Sequence, residues 1–374
     1  MNVFSTYLHM MCLSFCITIG FMLDHEKPTA FFTPSGNVSR DVPNSSAGLF
    51  DSDEIIKIRI KGNIRELMND RKDVPSDHPM VISYNDGTKD ISIGVQMRSR
   101  GHFRKTMGDC TYPPLLVGFE PSEAWSGSIF REQRKTKLVV PCSNGQLVTR
   151  EWLAYRIYNL ITPLSFRVRM VELTFTDERS GKDYSTTYGF FLEEEGQMAR
   201  RNAMVNPVQA ANPKQCAVKP FLDMTVFEYM IGNTDWSVEY GQNVKFLAAD
   251  SISTPVAVPY DFDQSGLVDA PYAKPAEELQ LGSVVNRRYR GYCVHGSPLF
   301  DSTVALFKRV RPEVWKLVDN TVLFNDKEKK KTIKFLEGFY SVLADDAKWT
   351  KEFNYPCDPR LPGVNVVLKG LREE

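Results

Sequence analysis

The chain has 374 residues, 42% of them apolar, with 46 Lys plus Arg balanced by 46 Asp plus Glu. That length and apolar content suffice for a sizeable core, in one large domain or two packed lobes, and exclude a disordered chain. A formal net charge of zero excludes a bulk field that would hold the protein on nucleic acid or an anionic membrane, so any recognition is local.

The first 23 residues carry no Lys, Arg, Asp or Glu, and Met10 to Leu23 is an almost unbroken apolar run. This resembles the core of a secretory signal, and residues 1–24 are expected to be a signal peptide, or an N-terminal anchor if the segment is retained. Only in the second case is a membrane a partner. Residues 25–50, rich in Pro, Ser, Asn and Gly without an apolar period, read as a flexible leader.

The elements then begin. Ile55 to Ile60 alternates as an edge strand would, and Val81 to Tyr84 and Ile91 to Met97 are strands joined by the Asn85-Asp86-Gly87 turn. Pro114 to Phe119 and Thr136 to Val140 are two more. Leu153, Ile157, Leu160 and Ile161 fall at three- and four-residue spacing, which predicts a helix over 149–160 with Thr149 as its cap and Pro163 beyond its end. Strands Val168 to Phe175 and Ser185 to Leu192 follow. From Asp223 the pattern is helical to Ile231 and stops at Gly232-Asn233. Short strands Asn243 to Leu247 and Val256 to Pro259 come next, and Leu299 to Leu317 and Lys327 to Leu343 are amphipathic helices.

Setting Cys12 and Cys16 aside leaves Cys110, Cys142, Cys216, Cys293 and Cys357, with no two-residue spacing of the kind a zinc knuckle uses. In an exported chain one or two disulfides are expected. Cys110 with Cys142 is the preferred pair, because each opens or closes a predicted strand in the same half of the chain.

The chemistry concentrates in Asn233-Thr234-Asp235-Trp236, Gln242-Asn243 and Pro259-Tyr260-Asp261-Phe262-Asp263. An acid in a loop, an amide eight residues on and an acid beyond the next hairpin supply what phosphoryl transfer requires: a carboxylate to orient a hydroxyl, and oxygen ligands that hold Mg2+ against phosphates. Singly, such residues more often make turns and caps. Their order between apolar strands favours a site. No Gly-x-Ser-x-Gly elbow and no paired His spacing supports a hydrolase of the serine or zinc class.

The stretch from about Ile55 to about Cys293 resembles the CotH kinase family, through Val95 to Arg104, Thr136 to Pro141, Trp152 to Arg156, Tyr188 to Glu193 and the segments around Asp235, Asn243 and Asp261. The resemblance implies an α+β, two-lobed atypical kinase-like fold, with a β-rich N-lobe over 51–195 and a mostly helical C-lobe over 196–374. It implies ATP with Mg2+ or Mn2+ as cofactors. Asp235 would be the catalytic acid, with Asn243, Asp261 and Asp263 at the metal. Lys137, Glu151, Arg98, Arg100 and Glu193 are the candidates around the nucleotide, with Lys105 competing and His102, beside Arg100-Gly101, either structural or adjacent to the phosphates. The implied activity is transfer of the ATP γ-phosphoryl group to a protein or other hydroxyl-bearing acceptor outside the cytoplasm, by a secreted, periplasmic or cell-surface protein, with no nucleic-acid partner. Three departures stand out: no Gly-x-Gly-x-x-Gly loop, an eight-residue step from Asp235 to Asn243, and Asp-Phe-Asp where protein kinases carry Asp-Phe-Gly. They leave open an inactive kinase-fold scaffold or surface-assembly protein, and a metal-dependent phosphohydrolase.

Overall fold

A computed structural model describes residues 48–368 except 102, 108, 109, 143, 144 and 185. The expected signal or anchor segment, nearly all of the leader, and His102 lie outside the described residues. Seven strands come first: β1 (Ile56–Gly62), β2 (His78–Asn85), β3 (Asp90–Ser99), β4 (Leu115–Phe119), β5 (Lys135–Val139), β6 (Val168–Asp177) and β7 (Thr187–Leu192). Among them lie α1 (Ile64–Asn69), α2 (Phe103–Thr106), α3 (Glu123–Ser126) and α4 (Gly145–Ile161). Next come α5 (Glu195–Arg201), α6 (Val218–Ile231), the hairpin β8 (Val244–Leu247) and β9 (Val256–Pro259), then α7 (Pro298–Asp319), α8 (Asp326–Leu343) and α9 (Asp346–Phe353).

The two-lobed kinase-like layout is not what forms. The seven strands close into a mixed barrel in the order β1-β2-β3-β4-β5-β7-β6, and β1 completes it by pairing antiparallel with β2 and parallel with β6. The segment expected at an edge is therefore a wall strand. Its alternation, with Ile58 and Ile60 buried and Lys57, Arg59 and Lys61 outside, is the same for an edge and for a barrel wall. The closing partner, Val171 opposite Ile56, is far away in sequence and leaves no local trace. The barrel is filled by side chains including Ile60, Ile82, Ile93, Met97, Val117, Leu138, Val171, Phe175 and Phe191.

Nor is there a separate helical lobe. Strand alternation turns Val139, Val168, Phe190 and Leu192 outward from the barrel, and there they share one core with α4, α6, α7 and α8. Strand β7 toward its C-terminal end, and β5 at Val139, thus bury both faces. Helix α4 runs between β7 and α7, which is why most of its circumference is buried and its apolar period is blurred. Thr149, expected as its cap, lies inside the helix and returns its hydroxyl to the Gly145 carbonyl (3.2 Å).

Among the described residues two disulfides fix connections. Cys110 is bonded to Cys142, as expected, and Cys293 to Cys357, with Cys216 buried and free. Among the described residues no helix is long and apolar enough to cross a membrane.

Candidate active site

Helix α6 ends at Gly232, whose φ of 67° turns the chain sharply while its N–H returns to the helix. A side chain there would press on the Val284 carbonyl at 3.2 Å and on Phe335. The loop that follows carries Asp235 and doubles back through an antiparallel bridge between Ser237 and Gln242. That return brings two amides onto one carboxylate. Gln242 Nε2 donates to Asp235 Oδ1 (2.5 Å), and Asn243 Nδ2 donates to Asp235 Oδ2 (3.0 Å) and to the Asp235 carbonyl (2.6 Å).

The hairpin then sets Asp261 against Asn243. Val244 pairs with Pro259, and the Tyr260 N–H continues the ladder to the Asn243 carbonyl at 2.9 Å. The Asp261 N–H donates to the Tyr155 hydroxyl of α4 (2.8 Å). Phe262 is fully buried, with its ring 4.6 Å from that of Tyr155 and 5.4 Å from that of Phe227, so Asp261 and Asp263 flank an anchored aromatic. Asp263 accepts from the Tyr272 hydroxyl at 3.1 Å. Glu151 lies one turn before Tyr155 on α4 and is 3% exposed; among the described residues it forms no ion pair.

Cations face this group. Arg100 follows β3 directly. Arg104, on α2, donates to the Val140 carbonyl, and the Nε atoms of both arginines are buried without a partner among the described residues. Lys137, on β5, holds its ammonium 4.6 Å from the centre of the Tyr260 ring. Lys245 lies 5.7 Å from that ring and is paired with Glu195 at 3.1 Å.

The electrostatics follow from burial and like charge. Burial and the Asp261 charge push Asp235 up to about 6, against the pull of the Asn243 hydrogen bond. The same two causes push Asp263 up to about 7, opposed by Arg104. Burial, then Asp263 and Asp261, raise Glu151 well above the carboxylate range. Burial and the nearby Arg100 charge lower Lys137 to about 7. Burial alone would lower the Arg104 pKa, but Tyr272, Asp263, Glu151 and Asp261 outweigh it and raise it. Acids gathered in a low-dielectric place raise one another's pKa, and the cations beside them offset part of that rise.

The structure thus brings together Asp235, Asn243, Asp261, Asp263, Glu151, Lys137 and Arg100. It places three other candidates elsewhere. Arg98 is exposed on the barrel wall, 3.6 Å from Asp77. Glu193 commits both carboxylate oxygens to Arg201 (3.0 and 2.9 Å) and one also to the Arg167 N–H. Lys105 donates to the Lys72 and Asp73 carbonyls. Lys137 and Glu151 form no ion pair with each other. Arg104, Tyr155 and Tyr272 were not expected. The i, i+4 spacing of Glu151 and Tyr155 was a usable signal for the second, whereas nothing in the Ala- and Pro-rich sequence around Tyr272 marks it.

Among the described residues no three His, Cys, Asp or Glu side chains converge as a metal cage. The donor set here is of another kind: the Asp261 and Asp263 carboxylates with the Asn243 amide. One or two carboxylates, with the remaining positions left to phosphate and water, are what Mg2+ uses in phosphoryl-transfer sites. The residues fit the ion on that count.

No family model matches the chain, and no curated protein does. Among solved structures the chain is similar to the Helicobacter pylori proinflammatory kinase CtkA, with a TM-score of 0.34 and 13% identity over 65% of this chain and 90% of that one. A likeness of that degree carries no weight for fold or activity.

Proposed function

We propose that this cleft is a metal-assisted phosphoryl-transfer site, in which a nucleoside triphosphate such as ATP gives its terminal phosphoryl group to a hydroxyl of a protein or other acceptor. The observation that carries the reading is the meeting, in one buried place, of Asp235, Asp261, Asp263 and Glu151 with Arg100, Arg104 and Lys137. Asp261, Asp263 and the Asn243 amide oxygen would hold Mg2+ or Mn2+, which when bound supplies charge neutralisation to the phosphates. Lys137, Arg100 and Arg104 offer donors to the phosphate oxygens.

Asp235 is suited to the acceptor. Its carboxylate is fixed by Gln242 and Asn243 and ionises near 6, so it is charged at neutral pH yet basic enough to receive a proton. In the transfer the bond between the terminal phosphorus and the bridging oxygen breaks, the bond from phosphorus to the acceptor oxygen forms, and the hydroxyl proton passes to Asp235. The nucleoside diphosphate leaves. This chemistry matches what the CotH kinase family implies, here placed beside a closed barrel. We also place the activity outside the cytoplasm, a setting with which the two disulfides are compatible.

The test is incubation of the full chain with γ-labelled ATP and Mg2+ or Mn2+, beside Asp235→Asn and Asp261→Asn. Label on the protein or on a generic hydroxyl acceptor, lost in both variants while their circular dichroism is unchanged, supports the reading. Release of free phosphate without transfer turns it into a phosphohydrolase. Absence of nucleotide binding leaves a scaffold.

A further inference from the structure

Arg290 donates to main-chain oxygens on both sides of Asp235. One terminal nitrogen donates to the carbonyls of Thr234 (2.7 Å) and Trp236 (2.8 Å), the two residues that bracket Asp235. The other reaches the Val366 carbonyl at 3.2 Å, and the guanidinium lies 5.0 Å from the centre of the Trp236 ring. Among the described residues no carboxylate is within ion-pair distance of it. A planar fork of fixed donors is therefore spent on main-chain oxygens, which it holds in a set relation to one another.

The far end of that fork is itself anchored. Cys357 is bonded to Cys293, three residues beyond Arg290. Arg288 donates to the Pro362 carbonyl (2.6 Å) and lies over the Tyr355 ring at 4.1 Å, while the Tyr355 hydroxyl closes back on the same carbonyl at 2.8 Å. Gly363, at φ 77°, seats against Leu279, where a side chain would crowd the Leu279 side chain and backbone at 3.0 and 3.2 Å. The segment from Cys357 to Val366 is thus a strap over the 288–293 stretch. It ends on the arginine that holds the Asp235 loop.

We infer that Arg290 is the positioning residue for Asp235, and that the disulfide-fixed C-terminal strap keeps Arg290 in place. This rests on the phosphoryl-transfer reading for its kinetic arm only. Asp235 meets the acceptor hydroxyl from a loop with no regular structure, so its aim depends on what holds its two flanking peptides. A displacement on the order of 1 Å at such a group costs about 100-fold in rate.

The experiment compares wild type, Arg290→Gln, Arg290→Lys and the double variant Cys293→Ser/Cys357→Ser, all as full chains. It measures kcat and the nucleotide KM, and amide hydrogen exchange across residues 233–243. Expected are a loss in kcat on the order of 100-fold for Arg290→Gln, with KM within about twofold, a partial return of kcat in Arg290→Lys, and a fall in the same direction for the cysteine pair. Exchange of 233–243 should rise about tenfold or more, as a local opening does, while the barrel strands stay protected. Unchanged exchange in Arg290→Gln, a rise spread evenly over the fold, or a change in KM with kcat intact overturns the inference. If Arg290→Gln does not fold, the exchange of Arg290→Lys and of the cysteine variant decides it by the same criteria. A wild-type chain that transfers nothing, with selective opening of 233–243 in the variants, defeats the phosphoryl-transfer reading and leaves the positioning role standing.

Discussion

Replacing Asp263 by Asn tests the electrostatic account of the cleft directly. Asp263 is 8% exposed, and burial together with the Asp261 charge moves its ionisation from 3.8 to about 7. A raised carboxyl pKa means that the fold prefers the protonated form. The stability it contributes is complete below pH 3.8 and is lost as the pH rises through 7. At 1.36 kcal/mol per pH unit between the two values, the ionised carboxylate costs the fold up to about 4 kcal/mol at pH 8. Asn keeps an acceptor for the Tyr272 hydroxyl and never ionises. Asp263→Asn is therefore expected to match wild type near pH 4 and to exceed it by about 1–4 kcal/mol at pH 8, in urea unfolding followed by circular dichroism. Millimolar Mn2+ should stabilise wild type at pH 8 and the variant much less. The account is refuted if the variant is less stable than wild type at pH 8. That result would mean that Asp263 is ionised and held by Arg104, so that its removal strands a buried guanidinium.

Three further outcomes follow from the same geometry. Tyr155→Phe keeps the ring against Phe190 and Phe262 but removes the acceptor of the Asp261 N–H, and should cost about 1–3 kcal/mol by thermal or urea unfolding; no loss would show that this N–H finds water. Gly241→Ala places a side chain into the Gln209 carbonyl at a φ of 61°, between Asp235 and Asn243. It should lower stability by about 2 kcal/mol and abolish metal-dependent nucleotide binding, read by calorimetry. Cys110→Ser/Cys142→Ser opens a loop closed across 32 residues and should lower stability by about 3–4 kcal/mol, a difference that disappears when both proteins are measured in reductant.

Most strands and the long helices were legible because half-burial imposes a period of two or of 3.6 on residues such as Ile91 to Met97 or those of α8. Closure of the barrel was not. It depends on a parallel pairing between β1 and β6, and no residue of Ile56–Gly62 differs from what an edge strand would carry. The same limit explains Arg98 and Arg100. Two residues apart, they would share a face if the strand continued, but β3 ends at Ser99, whose hydroxyl donates to the Asp70 carbonyl. Arg100 thereby escapes the alternation and turns up near Lys137 and Glu151, while Arg98 stays outside. The acids and the amide of the cleft were legible because they punctuate apolar strands. Arg104 was not, because the segment around it is set by distant features: the Arg71 guanidinium on the Lys105, Met107 and Cys110 carbonyls, and the disulfide from Cys110 to Cys142.

Two residues of the hairpin are held in an uncommon backbone conformation. Asn243 and Asp261 both have positive φ, 52° and 64°, and neither is glycine. Asn and Asp tolerate that region better than most residues, yet it still costs on the order of 1 kcal/mol each. Ala203, Asp269 and Gln280 also have positive φ, so the conformation alone does not mark a site. Here the strained residues stand where β8 begins and just past the end of β9, joined through the Tyr260 N–H and the Asn243 carbonyl, and they are the amide and the acid of the proposed metal site. The strain is held by what surrounds it: the Tyr155 hydroxyl on the Asp261 backbone, the Asp235 carboxylate on the Asn243 side chain, and the buried Phe262 beside Asp261. Local cost of this kind persists where neighbouring structure over-determines it, and the residues that over-determine it come from α4, the Asp235 loop and the hairpin itself. Of these, α4 lies directly against the barrel wall at β7.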